Sequence, residues 1–212
     1  GRDAAAAEAL ALLRAAGVDL SRCLVDESAA TGVALVAVAA DGENQIVVAP
    51  GANARLRPPD VDDLPLADAL LCQLEVPLAT VMHAAVHANG FVALNLAPAL
   101  DVPAGLLEHA DLVVVNDTEA LHYGEALHRG DGLVAITHGA RGATLLRAGR
   151  EVATARPPRI EPVDTTGAGD AFVAALLVAL LEQRPAGAAL AFACAAGAAA
   201  AVRAGGEPPP PA

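Results

Sequence analysis

The chain has 212 residues, 55% of them hydrophobic and 18% charged, enough apolar material for one sizeable core, so a single domain over residues 1–212 is expected. Its 25 acidic side chains against 13 lysines and arginines leave a net charge of −12, which repels a phosphate backbone and excludes nucleic acid as the main partner. A small anion held by local backbone donors or beside a bound cation stays open.

The alanine- and leucine-rich stretch Ala4 to Ala16, stopped by Gly17, predicts a helix. Val18 to Val25 and Val33 to Ala39 carry the β-branched content of strands. Asp41-Gly42, between Val33–Ala39 and Gln45–Ala49, supplies the residues a tight hairpin turn needs, so an antiparallel element is expected here. From Ala69 the rhythm changes. Apolar runs Ala69–Leu74, Val92–Leu96, Leu112–Val115 and Leu133–Thr137 alternate with helices starting at Pro77, Pro103 and Asp117. Continuous apolar strands separated by helices predict an α/β fold with a mostly parallel central sheet covered on both faces. A second hairpin, Ala143–Arg147 with Val152–Ala155, turns around Gly149. Two alanine-rich helices follow, the first over Ala171–Leu181, and the Pro208–Pro211 run can join neither helix nor central strand.

Cys23, Cys72 and Cys194 are odd in number and far apart, which fits neither a disulfide framework nor a zinc spacing, and a reducing cytoplasm is the expected location. The most apolar stretch, Ala171 to Ala204, is interrupted by Glu182, Gln183, Arg184 and Pro185 and reads as two soluble helices rather than a membrane span. The sequence opens Gly-Arg-Asp, without an initiator Met or a signal-like segment, inside what already reads as helix, so it is expected to be an excerpt of a longer chain.

The strongest chemical signal is Val163-Asp164-Thr165-Thr166-Gly167-Ala168-Gly169-Asp170-Ala171-Phe172. Glycines at the mouth of a helix let its unpaired N–H groups approach an anion, and the helix dipole favours negative charge there. A carboxylate beside a phosphate site is costly unless it takes a proton or meets a metal. By itself a Gly-x-Gly-Asp is equally a tight turn with an acidic first-turn residue. No P-loop pattern occurs.

The full string Asp-Thr-Thr-Gly-Ala-Gly-Asp-Ala-Phe resembles the C-terminal signature of the ribokinase, or PfkB, family of carbohydrate kinases. The resemblance implies a three-layer αβα sandwich. It also implies ATP-dependent phosphorylation of a primary sugar hydroxyl, with Asp170 as base and Gly167, Ala168 and Gly169 as the anion hole. Ile46 to Asn53 and Gln73-Leu74-Glu75 look like the ribokinase branch, in which the glutamate matching Glu75 contacts the sugar, D-ribose being the first candidate; read alone, Glu75 ends a strand. Asn116-Asp117-Thr118-Glu119 is similar to the family's Asn-x-x-Glu motif, implying that Asn116 meets ATP phosphates and Glu119 orders water on Mg2+. It reads equally as a helix capping box. Thr137-His138-Gly139-Ala140-Arg141-Gly142 stands where the family has Thr-x-Gly-x-x-Gly against the nucleotide, and alone is an ordinary strand-turn-strand connection.

The resemblance further implies a monovalent cation, K+, held by Asp164 with carbonyls of Thr166, Ala200, Arg203 and Gly205, although Pro209 stands where a serine is usual. It begins about a quarter of the way into the family's chain. The first strands, the substrate-binding Asp and the Gly-Gly-Lys-Gly-Ala-Asn segment are therefore expected to be missing, and a helix between Glu119 and Thr137 as well. A homodimer is expected if the N-terminal part is present. Another sugar or nucleoside kinase of the family, or an inactive nucleotide-binding fragment, are the competing readings. His83 and His87, four residues apart, lack the His-Glu-x-x-His pattern and read as surface or packing residues; Asp60, Asp62 and Asp63 read as solvated charges near a helix start.

Overall fold

The computed structural model describes residues 1–38 and 44–203. The first helix forms as two pieces, α1 (Ala4–Ala9) and α2 (Ala11–Ala15). No strand forms over Val18–Val25, contrary to its residue types. Asp19 accepts the Ser21 N–H at 2.8 Å and the Cys23 N–H reaches the Leu20 carbonyl, giving a turn in place of a ladder.

β1 (Val33–Val38) and β2 (Asn44–Ala49) pair antiparallel from Val33↔Ala49 to Val38↔Asn44, as a two-stranded sheet of their own. The Asp41-Gly42 turn lies outside the described residues. A 3₁₀ turn at Pro58–Val61 follows, and Asp60, its third residue, accepts the N–H of the N-cap Arg57 at 2.8 Å. Asp62 pairs with His83 at 2.6 Å, which ties this front part to the main layer; the Thr80 hydroxyl adds a bond to the Leu56 carbonyl at 2.8 Å.

Behind it stands a six-stranded sheet whose spatial order is its chain order. β3 (Ala69–Cys72), β4 (Phe91–Asn95), β5 (Leu112–Asn116) and β6 (Leu133–Thr137) are parallel. β7 (Ala143–Arg147) and β8 (Arg150–Ala155) continue it antiparallel, turning at Ala148-Gly149. The crossovers carry α3 (Leu78–His87), α4 (Ala104–His109) and α5 (Asp117–Tyr123), with a 3₁₀ turn at Gly124–His128 between α5 and β6. The chain then enters α6 (Ala168–Leu181) and α7 (Ala186–Ala201).

The period of two along each strand divides the core. Val92, Leu94, Val113, Val115 and Val134 pack under α3 and α4 with Tyr123 and Leu127, while Ala93, Leu112, Val114, Leu133, Ala135 and Leu145 pack under α6 and α7. Helices on both faces of a mostly parallel sheet make the expected three-layer α/β sandwich. Leu94, Leu112, Leu145, Leu176 and Leu190 are fully buried, each contributing about 1.5–3 kcal/mol of apolar burial. Among the described residues no helix is long and apolar enough to cross a membrane.

Candidate active site

Four parallel strands bring their carboxyl ends to one edge, the place where open α/β sheets gather ligands. Gln73-Leu74-Glu75 leaves the end of β3. Leu74 is buried and its N–H donates to the Ala97 carbonyl at 3.1 Å, so its two polar neighbours flank a fixed anchor and are themselves exposed. Asn116 ends β5 and Thr137 ends β6, and the two are register partners.

At the start of α5 the capping reading holds in full. Asn116 Oδ1 accepts the Glu119 N–H at 2.8 Å, and Glu119 Oε2 accepts the Asn116 N–H at 2.7 Å. Glu119 is buried, and that desolvation pushes its carboxyl up, opposed by the backbone bond from Asn116. Asp117, next to it, ties this helix start to the turn after β6. Its Oδ1 lies 2.6 Å from His138 Nδ1 and its Oδ2 accepts from Arg141 at 2.5 Å; His138 Nε2 lies 3.0 Å from the Thr144 hydroxyl. The His138 hydrogen bond, then the charges of His138 and Arg141, hold the Asp117 carboxyl below its usual range.

The turn itself is a 3₁₀ piece, Gly139–Arg141, closed by His138 N–H to the Gly142 carbonyl at 2.8 Å. Gly142 sits at φ 106°, and a Cβ there would lie 2.0 Å from the Ala155 carbonyl, so no other residue fits. A cavity of about 330 Å³ opens beside it, lined by His138, Arg141, Thr144, Thr154 and Arg156. The larger cavity, about 810 Å³, lies in the front part between Asn53–Pro58 and Val76–Thr80 and contains none of the candidate residues.

α6 begins three residues earlier than its apolar run suggests, so Asp170 is the third helical residue rather than the residue before the helix. Gly167 is the N-cap at φ 75°, a left-handed conformation glycine adopts without strain, and it offers no side chain to cap the helix. The Ala168 N–H is taken by the Thr165 carbonyl at 3.1 Å, which leaves the N–H groups of Gly169 and Asp170 to an outside acceptor. A Cβ on Gly169 would meet nothing within 4 Å, so space is open above this helix start. Asp170 is exposed and its Oδ1 accepts from Gln73 Nε2 at 3.0 Å, which brings the α6 start to the carboxyl edge of the sheet.

Asp164 Oδ1 accepts the Thr166 N–H at 2.9 Å, and the N–H groups of Val163 and Asp164 donate to the Ala201 carbonyl at 2.8 and 3.2 Å. This stitches Asp164 and Thr166 to the C-terminal end of α7, where Ala200 accepts the Arg203 N–H at 3.2 Å. Gly205 and Pro209 lie outside the described residues. Among the described residues no group of three His, Cys, Asp or Glu side chains could hold a metal, and His83 and His87 stack on each other at 4.2 Å.

Two residues of this edge, Gln73 and Asp117, lie inside the Gln73-Leu74-Glu75 and Asn116-Asp117-Thr118-Glu119 motifs, but neither draws a role of its own from the sequence. Asp117 was legible in principle, since Asn116 and Thr137 end neighbouring parallel strands and whatever follows each must meet. Gln73 and Asp170 are 97 positions apart, and only the folded chain joins them.

The model of the pfkB family carbohydrate kinases matches residues 1–212. The ribokinase of Bacillus subtilis is 36% identical over 169 residues, 74% of this chain and 57% of that protein, so the chain spans less than two thirds of the relative's length. The crystal structure of ribokinase from Thermotoga maritima superposes with a TM-score of 0.85 at 29% identity, covering 97% of this chain and 74% of that one. Ribokinase of Arabidopsis thaliana complexed with ribose and ATP superposes with a TM-score of 0.71 at 26% identity, covering 84% of this chain and 65% of that one. With a carboxylate and an uncapped helix start at the carboxyl edge of the sheet, the chain belongs to the pfkB family of carbohydrate kinases.

Proposed function

We propose that this chain carries the nucleotide- and base-bearing part of an ATP-dependent kinase for the primary hydroxyl of a pentose, with D-ribose the first candidate. The observation that carries the reading is the start of α6, where Asp170 stands beside first-turn N–H groups under open space. Asp170 takes the hydroxyl proton as the sugar oxygen attacks the terminal phosphorus of ATP, and the bond to the leaving ADP oxygen breaks. In the Gly167-Ala168-Gly169 turn the Ala168 N–H is held by the Thr165 carbonyl, so the N–H groups of Gly169 and Asp170 donate to the phosphoryl oxygens as charge shifts across them, which is positioning and electrostatic stabilisation, the main needs of phosphoryl transfer. The ribose and ATP in the Arabidopsis relative support this choice of substrates. Glu75, exposed at the same edge, is the candidate contact to sugar hydroxyls.

Asn116 and the turn from Thr137 through Ala140 to Gly142 would flank the nucleotide. Glu119 fits a role near Mg2+, because its carboxyl is buried beside Asn116 and a cation would offset that burial. When bound, Mg2+ neutralises phosphate charge. The oxygen donors of Asp164, Thr166, Ala200 and Arg203 are of the kind K+ accepts, and K+ there would add positive field beside the anion hole.

The test is Asp170→Asn, assayed as ADP release with ribose and Mg-ATP. Turnover is expected to fall by about 10²–10⁴, the usual worth of a general base, with the nucleotide Kd within a few-fold. Near-normal turnover in the variant, or a wild-type chain that phosphorylates no pentose, would sink the reading. Mg-ATP alone should raise the thermal midpoint, since it binds only the folded state.

A further inference from the structure

We infer that Gln73 is the positioning residue of the candidate base, donating from Nε2 to Asp170 Oδ1 at 3.0 Å and so leaving Oδ2 to face the acceptor hydroxyl. The inference rests on Asp170 being that base. Its physical ground is the alternative open to Asp170. As the third residue of α6, a carboxylate can swing back onto the N–H of its own N-cap, here Gly167. Glu119, at the same position of α5, does this, accepting the Asn116 N–H at 2.7 Å. Asp170 instead points outward to Gln73. A base folded back onto its own helix would be out of reach of a sugar.

Gln73 is suited to the task by where its backbone is held. Cys72 pairs with Leu94 at the end of β3, and Leu74 is buried with its N–H on the Ala97 carbonyl. The amide thus projects from a backbone fixed on both sides. It carries no titratable proton, so the donor is constant at every pH, and it adds no positive charge to the base it holds.

The experiment compares Gln73→Leu and Gln73→Glu with wild type in ribose phosphorylation across pH, with folding checked by the thermal midpoint. In Gln73→Leu, kcat is expected to fall about ten- to hundredfold, the worth of a hydrogen bond to a charged group. KM for ATP should stay within about twofold, and the acid limb of the rate profile should move to higher pH, because a bond donated to a carboxylate favours its ionised form. Gln73→Glu keeps the length, replaces the donor with an acceptor, and should lose more rate as pH rises. The side-chain amide resonance of Gln73 should shift with pH in wild type and stay flat in Asp170→Asn. An unchanged kcat, a loss uniform in pH, or an amide that does not respond to Asp170 overturns the inference. A wild-type chain without turnover, or an active Asp170→Asn, overturns the base assignment and this inference with it, whereas an inactive Asp170→Asn beside a normal Gln73→Leu overturns this inference alone.

Discussion

The starts of α5 and α6 stand at the same edge of the sheet, and each has an acidic residue as its third helical position, yet the chain uses them in opposite ways. At α5 the side chains close on themselves, Asn116 and Glu119 satisfying each other's backbone N–H groups at 2.8 and 2.7 Å. At α6 the cap is a left-handed glycine without a side chain, the acid turns outward, and the next glycine has nothing within 4 Å of where its Cβ would be. A closed cap contributes stability by committing Asn116 Oδ1 and Glu119 Oε2 to its own backbone. An open one forgoes that stability and keeps its donors for an anion. The widest separation between the two starts is expected from Asp170→Asn, which should lower turnover by about 10²–10⁴ while leaving the thermal midpoint within about 2 °C. A midpoint that falls well below that range would make Asp170 a structural residue like its counterpart.

Asn116→Ala probes the closed start from the other side. Removing a capping side chain costs about 0.5–2 kcal/mol, typically near 1, and a chemical denaturation curve should register that loss. A functional role for Asn116 is tested by the same variant, since a change in nucleotide affinity beyond the stability loss would show that the cap also serves the ligand.

The back of the molecule was legible because its strands obey one rule. Leu112–Val115 and Leu133–Thr137 are short apolar runs between helices, and they form β5 and β6 almost residue for residue. The front was not. From Gly1 to Leu35 and from Val47 to Asp68 no residue is buried, and Leu24 and Val25 are 63% and 52% exposed. Strand-forming residue types over Val18–Val25 have no ladder to join, and Asp19 decides the local backbone instead. The site divides in the same way. The Gly-Ala-Gly-Asp string announces itself, as does the capping box, because both are contiguous; the Asp117–His138 and Gln73–Asp170 contacts depend on strand register and on a helix returning to the sheet from far along the chain.

The two carboxylates at the α5 start set up a smaller test, because neighbours in sequence titrate in opposite directions. Burial raises the Glu119 carboxyl, so its contribution to stability is full below the ordinary glutamate range and is lost as pH rises through its folded value. Asp117 is lowered by His138 and Arg141, so its contribution is present above the ordinary aspartate range and is lost as pH falls. Thermal midpoints between about pH 3 and 8 should show Glu119→Gln gaining on wild type as pH rises and Asp117→Asn losing its disadvantage as pH falls. Parallel curves for all three proteins would mean that the capping box and the Asp117–His138 pair are not formed in solution.

The smallest effect on stability carries the sharpest discrimination at α6. Gly169 is the second residue of the helix, and its neighbourhood leaves room for a methyl group, so Gly169→Ala meets no steric obstacle from the protein itself. Alanine also gives up less backbone entropy on entering a helix, worth about 0.5–1 kcal/mol in a helix interior and less in its first turn, so the midpoint should rise slightly or stay level. If that space exists for a phosphoryl group approaching the helix N–H donors, the same methyl group stands in its path. Turnover should then fall while stability does not, and the Mg-ATP stabilisation of the midpoint should shrink. A Gly169→Ala protein that is slightly more stable and fully active would mean that the ligand comes no closer than a side chain allows, and the α6 start would be an ordinary glycine-capped helix.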